Sequence, residues 1–204
     1  MAGKDYDVIA ETIFAPIFPV VAENILRRTG VTQGKMLDIG CGGGHLGYAV
    51  MERIPVQGYF MDVLPEAVDI CKARGQRLGY GDEIQVCQGD VHAMPFDDGS
   101  MDLIVSRGSI GFWSDYQKAF EEVHRVLSPS GKAYIGSGLG NGEIQENIHK
   151  QMKEKDPNWP ASIKRNQRNT STEEFREIFE VIGFSYEVIE NDEEGRWFLL
   201  WKRR

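Results

Sequence analysis

The stretch Lys35–Gly47 reads KMLDIGCGGGHLG, and its residue types point to ligand binding before anything else in the chain does. Asp38 sits in a short apolar strand pattern with Met36, Leu37 and Ile39, which runs straight into glycines at 40, 42, 43 and 44 and then a helix-like segment. With no Cβ in the way and positive φ open to it, such a turn lets backbone N–H groups approach a polar ligand closely. Two ligands compete for it. A dinucleotide fingerprint wants glycine at the first, third and sixth positions, and the sixth position here is His45. The glycines fall instead at 40, 42 and 44, the G-x-G-x-G variant that suits S-adenosylmethionine. Candidate proton-transfer groups are His45, His92, His124 and His149. His124 lies inside a helical pattern, EEVHRVL, and reads as a packing or surface residue. No two histidines have the spacing of a helical zinc site, and Cys41, Cys71 and Cys87 form no CxxC pair, so no metal and no disulfide framework are expected.

The elements that must position these residues follow from periodicity. Residues 5–28 carry Ile9, Ile13, Phe14, Ile17, Val20, Val21, Ile25 and Leu26 at helical spacing, with Pro16 and Pro19 expected to break the run into two pieces. The first piece reads as a flap whose aromatics Tyr6, Phe14 and Phe18 are candidates to close over a ligand. Beyond the glycine loop come a helix over 45–53, a strand VQGYFMD ending at Asp62, and a helix opened by Pro65. Three further strands, EIQVCQ, DLIVS and KAYIGS, follow, the last preceded by a turn SPSG and separated from its predecessor by a helix over 115–127. This alternation predicts parallel strands joined by right-handed crossovers.

The tail breaks the rhythm. A helix near 143–155, an irregular loop, and a helix in STEEFREIFEVIG with Thr172 as N-cap and Gly183 as stop lead to FSYEVIE and RWFLLWK, a hairpin around NDEEG. The expected fold is a doubly wound α/β domain. It has a mostly parallel seven-stranded sheet with helices on both faces and an antiparallel C-terminal hairpin strand. In such folds ligands bind at the carboxyl ends of the strands, near the point where strand order reverses. One domain over 1–204 is expected, divided into an N-terminal helical flap (1–28), a cofactor-binding core (34–137), a substrate-side insertion (139–170) and a final helix with its hairpin (171–204).

Composition bounds the function. The 204 residues are 41% hydrophobic and 26% charged, as expected for a globular domain, and carry a net charge of −8. That balance argues against a large nucleic-acid footprint or an anionic membrane surface and favours a small-molecule or protein substrate. MAGKDYDVIAETIF lacks the core of a signal peptide, and no apolar run reaches about 18 residues. A soluble, cytoplasmic protein without membrane insertion is expected.

Four stretches, in order, resemble the motifs of the class I S-adenosylmethionine-dependent methyltransferases, especially the small-molecule enzymes related to ubiquinone and menaquinone biosynthesis. LDIGCGGGHLG looks like the first motif, FMDVLPEAV the second, GDVHAMPFDDGSMDLIVSRGS the third and fourth, and EVHRVLSPSGKAYIG the segment ending in the fifth strand. The likeness runs over about residues 34–137. It implies a cofactor site built from Asp38, Gly40, Gly42, Gly44, Asp62, Val63, Asp90, Val91 and Ser106. Asp62 would accept the ribose hydroxyls, Asp90 the adenine amino group with Val91 offering its N–H, and Asp38, staying ionised, would organise the loop or meet the methionine ammonium. The backbone carbonyl of Ser106, just past the fourth strand, is a second candidate for that ammonium. Arg107, His92 and His45 are candidate catalytic residues, and Tyr6, Phe14, Ser109 and Trp113 face the acceptor.

Methyl transfer from a sulfonium is an in-line displacement on an already activated electrophile, so proximity and alignment are the main demands. A general base is required only for a poor nucleophile. The absence of an Asn/Asp-Pro-Pro-aromatic motif after DLIVS argues against adenine N6 and glutamine amide acceptors. A small basic cluster, Lys164, Arg165 and Arg168, is a candidate to meet an acidic substrate group. The expected activity is methylation of a small molecule. The alternatives are a protein-directed methyltransferase, which should have an open groove, and a non-catalytic module binding S-adenosylmethionine or S-adenosylhomocysteine.

Overall fold

Alternating residues along the expected strands have opposite destinations, and the sheet they form explains both. The structure, a computed structural model, describes residues 4–161 and 170–203. Strands β1 (Gly34–Ile39), β2 (Val56–Asp62), β3 (Ile84–Gln88), β4 (Met101–Arg107), β5 (Leu127–Ser137), β6 (Phe184–Asn191) and β7 (Gly195–Lys202) make one seven-stranded sheet in the order β3-β2-β1-β4-β5-β7-β6. The first five run parallel, and β7 is antiparallel to both β5 and β6. This is the doubly wound sheet with a C-terminal hairpin expected from the pattern. Strand order reverses between β1 and β4, which places the ligand-binding crevice at their carboxyl ends.

The helices are α1 (Lys4–Thr12), α2 (Ile17–Thr29), α3 (His45–Met51), α4 (Pro65–Arg77), α5 (Tyr116–Val126), α6 (Gly142–Lys155) and α7 (Thr172–Ile182). On one face of the sheet Met36, Phe60, Leu103, Val105, Tyr134 and Trp197 pack with side chains of α1, α2, α3 and α6. On the other, Leu37, Ile39, Met61, Ile104, Ile135 and Phe198 pack with α5 and α7, where Phe120 meets Phe175 and Phe179 edge to face. Both faces of β1, β2 and β4 are therefore buried, which is why their sequences read as apolar runs, while the edge strand β3 alternates.

Several boundaries differ from the expectation, each for a local reason. The N-terminal run falls into two pieces as expected, and the break lies at Pro16, the N-cap of α2, while Pro19 sits in its first turn, where the N–H that proline lacks has no helical acceptor. Helix α3 stops at Met51 rather than Arg53. The SPSG segment is not a turn before the fifth strand but belongs to it; β5 starts at Leu127, and a register shift opposite Met101 and Leu103 absorbs the irregularity. The N-cap of α7 is Ser171, not Thr172: Ser171 Oγ accepts from the Glu174 N–H while Glu174 accepts from the Ser171 N–H, a reciprocal capping box. Thr172 instead donates its hydroxyl to Glu190, at 2.7 Å. Gly183 ends the helix in the left-handed region as expected, with φ of 93°. In the 139–170 segment α6 buries Ile148 and Met152 against the first face together with Trp159. Lys164, Arg165 and Arg168 lie outside the described residues. Among the described residues no single helix is long and apolar enough to cross a membrane.

The cap assignment has a direct check. Ser171→Ala should cost about 1 kcal/mol of stability in urea unfolding, and Thr172→Ala clearly less. The opposite ranking would return the cap to Thr172.

Candidate functional site

At the carboxyl end of β1 the chain turns through Gly40, Gly42 and Gly44, with φ of 64°, 53° and 83°. The Gly40 and Cys41 N–H groups donate to Met61 O at 2.8 and 3.1 Å, which lays the loop across the end of β2. A Cβ on Gly40 would stand 2.4 Å from the Ser109 Cβ, so no larger residue fits there. Gly44 caps α3 in the left-handed region.

Two buried carboxylates hold this loop. Asp62 accepts from the Gly42 N–H at 2.8 Å with one oxygen and from the Leu64 N–H at 3.0 Å with the other, joining the loop to the start of α4. Asp38 is 2% exposed, and one of its oxygens accepts from the Gly47 N–H at 3.0 Å, in the first turn of α3 where backbone donors lack helical partners. Burial pushes the Asp38 carboxyl up to about 7, only partly opposed by the Gly47 hydrogen bond. Near neutrality the group is therefore poised between its two forms, burial and the nearby Asp62 charge both disfavouring the ionised one.

A brace of hydroxyls lies under the loop. Ser106 Oγ donates to Ile39 O at 2.8 Å and is 2.6 Å from Ser109 Oγ, which in turn accepts from Trp113 Nε1 at 3.2 Å. Ser106 and Arg107 are inside β4 rather than beyond it. Trp113 does not face an acceptor: it is buried in the opposite core, edge-on to Phe120.

Above the loop, α1 and α2 close the crevice. Arg74, from α4, is 6% exposed and donates to Gly43 O, to both oxygens of Asp7 and to Glu11. His45 Nε2 is 2.9 Å from the same Asp7, and its ring stacks on Phe18 at 4.9 Å. Burial, reinforced by the Arg74 charge, holds His45 below its ordinary pKa despite Asp7. Burial acts to raise the Asp7 carboxyl, yet its hydrogen bonds to Arg74 and His45 leave it below its usual value. Tyr6 lies over Gly42, its ring carbon 3.9 Å from where a Cβ would be. The partly open pocket that results is lined by Tyr6, Phe18, Asp38, the loop from Gly40 to Gly42, His45, Leu46 and Arg107.

Sequence reasoning thus placed Tyr6, Asp38, Gly40, Gly42, His45 and Arg107 together, with Phe14 adjoining through Arg107. It missed Asp7 and Arg74, whose pairing spans 67 residues, and Cys41, which lies in the loop itself. The hydrogen bond with Cys71, and then burial, raise the Cys41 thiol well above its ordinary value, so it is no nucleophile at neutral pH. Asp90 is not at the end of β3 but two residues beyond, exposed, with its carboxylate on the His92 N–H and Nδ1 at 2.9 and 2.5 Å. His92 Nε2 accepts from the Asp115 N–H at 3.1 Å, which fixes the ring between this loop and α5. Neither His92 nor Asp90 is among the residues that line the pocket. Val91 is buried, whereas Val63 is 58% and Leu64 41% exposed beside Asp62. His124 packs edge-on against Phe184, and His149 against Trp159.

Comparison with known proteins places this geometry. The family described as methyltransferase domain matches residues 37–135. The crystal structure of a Methanococcus maripaludis protein assigned to the S-adenosyl-L-methionine-dependent methyltransferases superimposes with a TM-score of 0.91 at 40% identity, over 98% of this chain and 92% of that one. A demethylmenaquinone methyltransferase of Thermus thermophilus is 29% identical over 102 residues, 50% of this chain and 46% of that protein. The corresponding protein of Chlorobaculum tepidum is 34% identical over 121 residues, 57% of this chain and 46% of that protein. The chain therefore spans about half the length of these curated relatives.

Asp38 supplies a test on the free protein. The folded chain holds a proton there that the unfolded chain releases near 3.8, so this group stabilises the fold most below that value and loses its contribution as pH rises through about 7. Relative to Asp38→Asn, the wild type should lose about 1 kcal/mol per pH unit between pH 5 and 7 in urea unfolding, with a constant gap above. Parallel profiles would show that Asp38 ionises normally.

Proposed function

The chain belongs to the S-adenosyl-L-methionine-dependent methyltransferases, and from that premise we propose that it methylates a small-molecule acceptor held under α1 and α2. The observation that carries this reading is the partly open pocket beneath α1 and α2 at the β1–β4 switch point, with a carboxylate, a guanidinium and aromatic rings on its walls. A protein-directed enzyme calls for a wide groove, and the covering helices favour a compact acceptor instead.

The residues at hand suit the cofactor. The glycine loop has the positive φ values that bring backbone close to a ligand. Asp38, poised near neutrality for want of a cation, matches the methionine ammonium, which would draw it into its ionised form. Asp62 retains acceptor capacity on both oxygens for ribose hydroxyls beyond its two backbone bonds, and exposed Val63 and Leu64 offer an apolar shelf for the adenosine. Asp90 and Val91 remain the candidates for the adenine, Ser106 only through its backbone, since its hydroxyl is committed to Ile39.

When bound, the cofactor supplies an activated methyl group on a positively charged sulfur. The chain contributes alignment and exclusion of water: α1 and α2 seal the crevice through Asp7, Arg74 and Phe18. Neither candidate histidine is well placed as a base, since burial and the Arg74 charge hold down the basicity of His45, and His92 has both ring nitrogens engaged, by Asp90 and by the Asp115 N–H. The arrangement fits an acceptor that brings its own nucleophile.

Incubation with methyl-labelled S-adenosylmethionine and a filtered metabolite extract should move label into low-molecular-weight product. Label found only in protein, or none transferred, would overturn the small-molecule reading. Asp62→Ala should weaken S-adenosylhomocysteine by about 1.5–3 kcal/mol, the range for hydrogen bonds to a charged group. Unchanged affinity in a folded variant would remove Asp62 from the ribose site.

A further inference from the structure

Among the described residues the arginines of this acidic chain are nearly all neutralised. Among the described residues Arg27, Arg28, Arg53, Arg74, Arg77, Arg125, Arg176 and Arg203 each have a carboxylate within 4 Å. Arg196 has none, but its guanidinium donates to Thr170 O at 2.9 Å and lies over Phe175 and Phe198. Arg107 is the other exception, and it lies on the wall of the pocket.

Its setting is built rather than incidental. The guanidinium carbon stands 5.5 Å from the ring centres of both Phe14 and Phe18, which are themselves buried. Nε donates to Gly138 O at 3.1 Å. Two rings and one carbonyl thus restrict the group and use its Nε edge. Its two terminal nitrogens have no partner among the described residues. A guanidinium with restricted faces and an open terminal edge is arranged to take a carboxylate or phosphate through two parallel hydrogen bonds. Keeping it unpaired in a chain of net charge −8 sets this position apart from the other arginines.

We propose that Arg107 is the anion-recognition residue of the acceptor site, and that the acceptor carries a carboxylate or phosphate group. The inference rests on the methyltransferase reading above. The rings that frame Arg107 come from α2 and the link before it, the covering side of the crevice, and not from the glycine loop, which assigns the anion to the acceptor rather than to the cofactor's own carboxylate. Bound there, an acceptor would have its charge anchored at the end of β4 while its nucleophile extends across the pocket toward the Asp38 side. This aromatic contact also makes recognition depend on the N-terminal segment, because Phe14 and Phe18 complete the site only when the N-terminal helices are in place.

The test uses the full chain saturated with S-adenosylhomocysteine, titrated with acetate, benzoate and phenyl phosphate and with the neutral acetamide and benzamide, followed by nuclear magnetic resonance. At least one anion should bind ten times or more tightly than its neutral counterpart. Arg107→Met should erase the preference while changing S-adenosylhomocysteine affinity less than twofold, and Arg107→Lys should restore part of it. Equal binding of anions and amides, or no binding of any anion to the loaded protein, would overturn the inference and leave the cofactor reading intact. So would a tenfold loss of S-adenosylhomocysteine affinity in Arg107→Met with 5′-methylthioadenosine unaffected, because the guanidinium would then serve the cofactor's carboxylate. Failure of the wild type to bind S-adenosylhomocysteine would remove the cofactor reading and this inference with it.

Discussion

The hydrogen bond from the Gly47 N–H to Asp38 ties the end of β1 to the first turn of α3, and the glycine loop is the chain suspended between them. A carboxyl group buried to this degree is costly when ionised. One backbone donor offsets part of that cost and leaves the group poised near 7. Gly47 has no side chain because Phe60 and Asp38 occupy the space, the nearest ring carbon being 2.3 Å from where a Cβ would stand. The loop, the helix it opens and the strand beside it are consequently fixed by one small set of contacts. The same contacts leave a charge-hungry oxygen facing the crevice, which is the stability cost a binding site bears for its ligand.

A second layer of polar contacts governs access. Arg74 connects α4, the Gly43 carbonyl and α1, and Asp7 connects Arg74 with His45. A Cβ on Gly43 would collide with both Arg74 and Asp7, so the close approach of α1 requires glycine there. Ion pairs of this kind contribute little net stability when buried and much geometric definition when complete. Phe18 stacked on His45, and Arg107 set against the rings of Phe14 and Phe18, continue the closure on the apolar side. The covering helices therefore complete the pocket with specific groups instead of merely shielding it.

Much of this was legible in the sequence because it is encoded locally. Apolar runs buried on both faces gave β1, β2 and β4, and the glycines at 40, 42 and 44 marked a turn that needs positive φ. Asp38 within β1 and Asp62 at the end of β2 stand where the strand pattern puts them. What escaped depends on partners far apart in the chain. Asp7 finds Arg74 and Ser106 finds Ile39 across 67 residues, and no spacing announces either. Trp113 was assigned to the acceptor because its position after β4 is suggestive, but a sequence does not say which face of the sheet a side chain enters. The ionisation of Asp38 is set by burial, which only the packed fold reveals. Thr172 was mistaken for the cap since Ser171 has equal capping chemistry, and only the reciprocal bond with Glu174 separates them.

The central claim is that the loop from Gly40 to Gly44, with Asp38 and Asp62, forms one end of an S-adenosylmethionine crevice. Calorimetric titration of the purified chain with S-adenosylhomocysteine and, separately, with NAD addresses it most directly. Saturable binding of S-adenosylhomocysteine with none of NAD is the predicted result; binding of NAD with none of S-adenosylhomocysteine would contradict the account.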